Sequence, residues 1–392
     1  MPARVATLVL ALVIAACSLP GQTAAPAERP NPTSSGSPAA NTSAPPPSST
    51  APPPDPNPGP VTRGYAVVVG PSAPGRFTIS LVAGDGSIAA SAQAEGRGTF
   101  TCGSRPGTVT LPLPVISLSN SRAYFLDGMQ DVRFLAPNGA TGLATRVPAT
   151  PQQISLFAVS PDDRRIAVNV IDYTQVPLTQ RLYVEDLAGG GNHVEVFSAT
   201  SPAGTETAAL WPAGWRAGNL VLGYHSSTCA QGGGPGLDRA TSFHIADAVS
   251  GRRVATIGAD GSSCGMVDPE PSLLACSTLQ NDAQLFDWQG NRRQSLSCPE
   301  GLGNLSPDGA KLLCGVFSAK NAFVIGLDGS RVDLPPGLPG GFLDSDHVYS
   351  GASTAQEQGK LVTLSVNQIK PVAIVGNYRG RLPGSLDVGR GT

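Results

Sequence analysis

The chain has 392 residues, with 26 Lys and Arg against 28 Asp and Glu and a formal net charge of −2. That balance gives no reason to expect nucleic acid or an anionic lipid surface as a partner. With 47 Gly, 37 Pro and no long amphipathic helical pattern, the composition excludes a helical bundle and points to many short strands and turns.

Met1 to Arg4 form a short segment with one positive side chain, and Val5 to Ala15 follow as an uncharged apolar run. The run is too short to cross a bilayer as a mature helix and has the length of a signal-peptide core. Ile14-Ala15-Ala16-Cys17 comes next. This tetrapeptide resembles the bacterial lipobox. The resemblance implies that residues 1–16 are removed and that Cys17 receives diacylglycerol. The mature chain is then extracytoplasmic and lipid-anchored, each buried acyl methylene contributing about 0.8 kcal/mol.

Residues 17–61 are dominated by Pro, Ser, Ala and Thr, including Ala44-Pro45-Pro46-Pro47 and Ala51-Pro52-Pro53-Pro54. Nothing here can be buried, so a solvated, partly polyproline II tether is expected. Residues 62–392 remain for one folded domain of about 330 residues, ample for a large core.

In that domain a strand followed by a tight turn recurs seven times. The strands begin at Phe77, Val132, Leu182, Phe243, Ala283, Phe323 and Leu361. The turns include Gly84-Asp85-Gly86, Pro137-Asn138-Gly139, Ser250-Gly251, Gln289-Gly290, Asp328-Gly329 and Asn367. Gly or Asn at such places supplies positive φ for two-residue hairpins. From Gly251 to Gly290 to Gly329 to Asn367 the spacing is 39, 39 and 38 residues.

A second signature lies between these hairpins. Ser160-Pro161-Asp162-Asp163 and Ser306-Pro307-Asp308-Gly309 each separate two apolar runs, with degenerate copies at Ser119 to Phe125, Asp268 to Leu274 and Leu343 to Tyr349. Pro presets φ at the first turn position. Each unit therefore reads as four antiparallel strands in roughly forty residues, the size of a propeller blade. The Ser-Pro-Asp turns resemble those of TolB-type and WD-repeat-like propellers, although the Trp-Asp ending of true WD repeats is missing. The expected fold is all-β, a single seven-bladed propeller. A β-sandwich does not repeat at forty residues. The first unit holds three strands, so a segment within Asn377 to Val388 is expected to supply its fourth and close the ring.

Six cysteines follow Cys17: Cys102, Cys229, Cys264, Cys276, Cys298 and Cys314. An even count in an exported chain favours disulfides. Cys264 with Cys276, and Cys298 with Cys314, are expected to flank equivalent inner hairpins of successive blades, leaving Cys102 and Cys229 to pair or stay free. A metal site is not expected, because Cys-x-x-Cys is absent and His193, His225, His244 and His347 are scattered. No cofactor is expected either.

Gly261-Ser262-Ser263-Cys264-Gly265 has the letters of a nucleophile elbow without the strand-turn-helix setting the elbow requires, and is expected to be an ordinary turn. No catalytic residue stands out. The expected function is a monomeric, non-enzymatic binding or scaffold module for a protein, peptide or envelope polymer. The insertion from Tyr224 to Arg239, with His225 and Asp238, is the candidate contact loop. The rival is an extracytoplasmic hydrolase or lyase whose site gathers charged groups from several blades in the central funnel.

Overall fold

In the computed structural model the structure describes residues 65–97, 99–101, 108–110, 115–173, 179–200, 209–225, 240–258, 263–264, 272–277, 282–299, 301–316, 320–351, 358–375 and 385–386. They lie in one compact unit that spans 49–392.

The first blade holds β1 (Tyr65–Ala73), β2 (Arg76–Ala83) and β3 (Ile88–Glu95). A small hairpin, β4 (Thr99–Thr101) with β5 (Thr108–Thr110), precedes blade two. Blade two is β6 (Ile116–Leu118), β7 (Ala123–Asp127), β8 (Asp131–Leu135) and β9 (Thr141–Arg146). Blade three is β10 (Gln153–Val159), β11 (Arg165–Asp172), β12 (Thr179–Asp186) and β13 (Val194–Thr200). Blade four is β14 (Ala209–Arg216), β15 (Asn219–His225), β16 (Ser242–Asp247) and β17 (Arg253–Gly258). Blade five is β18 (Ser263–Cys264), β19 (Leu273–Ser277), β20 (Asp282–Asp287) and β21 (Arg292–Ser297). Blade six is β22 (Leu302–Leu305), β23 (Lys311–Cys314), β24 (Phe323–Gly326) and β25 (Arg331–Asp333). Blade seven is β26 (Pro339–Phe342), β27 (His347–Ser350), β28 (Gln358–Thr363) and β29 (Gln368–Val375). Finally β30 (Ser385–Leu386) returns to blade one.

Within each complete blade the four strands pair in chain order and antiparallel. Blade one departs from this, with the order β3-β2-β1-β30. Tyr65 faces Leu386 and Ala66 faces Ser385, so the carboxyl-terminal strand fills the inner position that the first unit lacks. Seven separate apolar cores confirm the ring, each shared between neighbouring blades. The last of them joins Ala66, Val68 and Val82 of blade one to Leu343, Tyr349 and Leu361 of blade seven.

Burial explains why the repeat is hard to see in the letters. Second strands are covered on both faces, and β11 buries every residue from Ile166 to Ile171. Such strands read as continuous apolar runs. Outer strands such as β21, in contrast, are mostly exposed and polar.

The hairpins between third and fourth strands differ in detail from the expected two-residue turns. Those at Ala83, Ala136, Asp287 and Gly326 hold three residues, and the glycine of each bonds back to the residue where the turn starts. A type I turn followed by one left-handed glycine is the geometry of such a three-residue hairpin. In three of the four the outer strand carries one extra residue farther along, at Ala89, Ala144 and Arg293. Gly290 combines φ of 89° with a close approach. A Cβ there would come within 3.0 Å of the Thr256 carbonyl oxygen on the preceding blade's outer strand. Glycine thus serves both the turn and the inter-blade fit.

Both expected disulfides form. Cys264 and Cys276 face each other across β18 and β19. Cys298 and Cys314 are not their equivalent one blade on. Cys298 lies just past β21, on the link into blade six, and Cys314 is on β23. This bridge ties an inter-blade connection to the next blade's second strand, because the chain leaves the outer strand close to where β23 ends. Cys102 and Cys229 lie outside the described residues.

Candidate functional site

Alternating strands sort the connections onto two ends of the ring. First-to-second and third-to-fourth turns collect at one end. Second-to-third connections and the links between blades collect at the other.

At the turn end several polar side chains hold the turns and the blades together. Ser160 Oγ accepts from Arg165 N at 2.9 Å and Ser306 Oγ accepts from Lys311 N at 2.9 Å, so the two Ser-Pro-Asp turns are built alike. Asp163, at φ of 59° and buried, accepts from the Tyr124 hydroxyl at 2.8 Å and also from Ser121 of the preceding blade. Burial, then the neighbouring Asp163 carboxylate, push the Tyr124 phenol well above its ordinary range. Lys311 Nζ reaches the Ser345 carbonyl in blade seven at 2.8 Å.

The opposite end holds a second set of polar contacts. Arg97, after β3, donates through Nη2 to the carbonyls of Thr150 at 2.8 Å and Gln153 at 2.6 Å. Gln153 begins β10, the inner strand of blade three, so this cation fixes the rim beside Tyr173. Burial lowers the pKa of Arg97, with Tyr173 opposing the shift, but a guanidinium stays charged at any physiological pH. Between blades one and two a cleft of about 330 Å³ is lined by Arg76, Gln93, Glu95, Asp127, Gly128 and Asp131. Arg76 pairs with Glu95 at 3.4 Å, and Arg146 with Asp131 at 2.9 Å. Asp127 accepts from Glu95 N at 2.7 Å. The cleft offers hydrogen-bonding edges rather than a nucleophile with its base.

On the outer part of blade three Arg181 donates to Glu195 at 2.7 Å and contacts His193 Nε2 at 3.0 Å. His193 Nδ1 meets Glu185 at 3.0 Å, with His193 stacked on Tyr183 at 4.7 Å. Burial, then Glu185, push the Tyr183 phenol up to about 12. The imidazole is thereby fixed as part of a surface network.

The residues singled out in the sequence are not brought together. His225 closes β15 opposite Ala209, whereas Asp238 and Cys17 lie outside the described residues. His244 stacks on Tyr224 at 5.3 Å, and His347 bonds Asp344 through Nδ1 at 2.9 Å. Ser263 and Cys264 of the nucleophile-elbow letters form the inner strand β18, and Gly261, Ser262 and Gly265 lie outside the described residues. Among the described residues no group of three or more His, Cys, Asp or Glu could hold a metal. Sequence reading missed Arg97 because its partners are backbone carbonyls more than fifty residues away, which leave no letter pattern.

No family model and no curated protein matches the chain. Among solved structures it is similar to apo AztD from Citrobacter koseri, at 10% identity and a TM-score of 0.46, over 82% of this chain and 97% of that one. It is also similar to a chain of the mitotic checkpoint complex, at 12% identity and a TM-score of 0.44, over 69% and 82%. The seven four-stranded blades and the seven cores between them make the chain a seven-bladed β-propeller.

Proposed function

We propose that the protein is a cell-envelope lipoprotein whose propeller is a non-enzymatic binding or scaffold module for a protein, peptide or envelope polymer. The observation that carries this reading is the division of the ring. At one end short turns and inter-blade bonds such as Tyr124 to Asp163 hold the frame. The other end gathers the longer connections, including the one from His225 to Ala240. Loops on a rigid frame are where recognition varies. Two disulfides suit an oxidising, extracytoplasmic environment, and the lipobox resemblance at Cys17 supplies the anchor.

Two measurements test the reading. Cys17→Ala should release the protein to the medium or leave the precursor uncleaved, and unchanged processing and membrane fractionation would remove the anchor. Deleting Ala230 to Gly236 should leave the domain folded while abolishing capture of its partner in a pull-down. Undiminished capture would move the contact away from this insertion.

A further inference from the structure

The net charge of −2 is an average over an uneven surface. At the turn end, blades four and five each open their outer strand on a doubled arginine: Arg252-Arg253 before and in β17, and Arg292-Arg293 in β21. All four are exposed. Arg293 is paired with Asp287, but among the described residues Arg252, Arg253 and Arg292 form no salt bridge. The acids nearest in the chain are engaged. The Asp247 carboxylate accepts from Ser250 N at 2.6 Å and Ser250 Oγ at 2.7 Å, and Asp287 is held by Arg293 and Asn291. On the adjoining blade three, Glu185 and Glu195 are held by His193 and Arg181. On the other side blade six adjoins blade five, and Gln294 of β21 donates to the Leu327 carbonyl at 3.0 Å. The next residue, Asp328, has its carboxylate held by Ser330 N at 2.9 Å and Ser330 Oγ at 2.6 Å, while Asp344 and Asp346 are on blade seven.

The same corner carries exposed apolar side chains. Val249 is 72% exposed and Val254 44%, two of the five large hydrophobic residues left open in the described chain. Arg216, at the turn end of β14, lies over the ring of Trp288 in the next blade's third-to-fourth turn at 4.9 Å. Cations flanking small apolar groups at one rim suit an anionic interface in which headgroups meet the charges and the valines enter the boundary.

Chain geometry points the same way. β1 starts at Tyr65 opposite Ala83, next to a third-to-fourth turn, so the chain enters the ring at this end. A polyproline-like segment from Ser18 to Pro60 would reach roughly 130 Å at about 3.1 Å per residue, so the anchor alone leaves the ring free to tumble. We infer that Arg252, Arg253, Arg292, Val249 and Val254 dock the propeller on the anionic phospholipid surface to which it is tethered. The end that carries the His225 to Ala240 connection then faces outward. The inference rests on the lipoprotein reading for its membrane, but its chemistry is separate from acylation.

The test uses the full chain with Cys17→Ala, which cannot be acylated, and co-sedimentation with vesicles of phosphatidylcholine alone or mixed equally with phosphatidylglycerol. Any contribution of Val5 to Ala15 to binding is the same in every variant. Binding to the anionic vesicles should exceed binding to the neutral ones and fall with salt. R252S/R253S/R292S should lose about fivefold per arginine removed. The control Arg76→Ser, at the opposite end, should lose nothing, and R252K/R253K/R292K should bind like the parent, because a membrane surface reads charge and not guanidinium geometry. Equal binding to both vesicles, an undiminished serine variant, or failure of the lysine variant would overturn the inference, as would capture by polyglutamate without vesicle binding. Because no arm uses the acyl chain, vesicle binding can fail while Cys17 proves to be acylated, and the reverse.

Discussion

Tyr65 and Leu386 face each other as β partners although 321 positions separate them, and with Ala66 and Ser385 they join the two ends of the ring. A closure this short should be sensitive. Deleting residues 377–392, or replacing Leu386 by Pro, removes ladder hydrogen bonds worth about 0.5–1.5 kcal/mol each. The urea midpoint should fall by an amount matching one or two such bonds. An unchanged midpoint for both variants would show that the ring is closed by its cores alone.

The second disulfide offers a larger effect. The Cys298 to Cys314 loop spans 16 positions. Chain-entropy reasoning gives a bridge of that span about 3 kcal/mol. C298S/C314S should lose this amount in denaturant unfolding, and a non-reduced digest of the parent should contain the 298–314 and 264–276 linked peptides.

Tyr124→Phe isolates one inter-blade contact. It deletes the hydroxyl that donates to the buried Asp163 and leaves the ring in place. Hydrogen bonds to charged groups contribute about 1.5–3 kcal/mol, so a loss in that range is expected. Combined with Ser121→Ala, which removes the second donor, the cost should exceed the sum of the single variants because the carboxylate is then left bare.

His244 supplies a pH dependence. Burial, then Arg253, lower its pKa below the ordinary value of 6.5. The folded state therefore favours the neutral ring, and protonation favours the unfolded chain. The contribution of His244 is fully present above pH about 6.5 and is lost as pH falls below it. Subtracting the His244→Phe curve from the parent curve between pH 5 and 8 should show this slope. A flat difference would mean that the ring titrates normally in the fold.

The architecture was legible where turn chemistry repeats. Ser160-Pro161-Asp162 and Ser306-Pro307-Asp308 mark first-to-second turns, and the 39-residue spacing from Gly251 to Gly290 to Gly329 gives the blade length. Blade four hid its equivalent turn, because Ala217 and Gly218 achieve the reversal with φ of 46° and 77° and no Ser-Pro-Asp letters. The β4–β5 hairpin also went unread, since Thr99–Thr101 and Thr108–Thr110 are too short to carry a period. The position of Cys298 was misjudged by a few residues, enough to move it from an inner hairpin to a link between blades. Surface features fared worst. Arg252-Arg253 and Arg292-Arg293 stand 40 residues apart in plain view, but only the ring shows that they share one corner.

The bridge between Cys298 and Cys314 also changes what a protease can achieve. It encloses the Ser306-Pro307-Asp308-Gly309 turn, and the Cys264–Cys276 bridge closes a loop of 12 positions in the blade before. A single cut inside either loop yields two fragments that remain covalently joined. The nicked chain keeps its full mass until thiols are added, so damage inside these loops is concealed in any assay that omits a reductant.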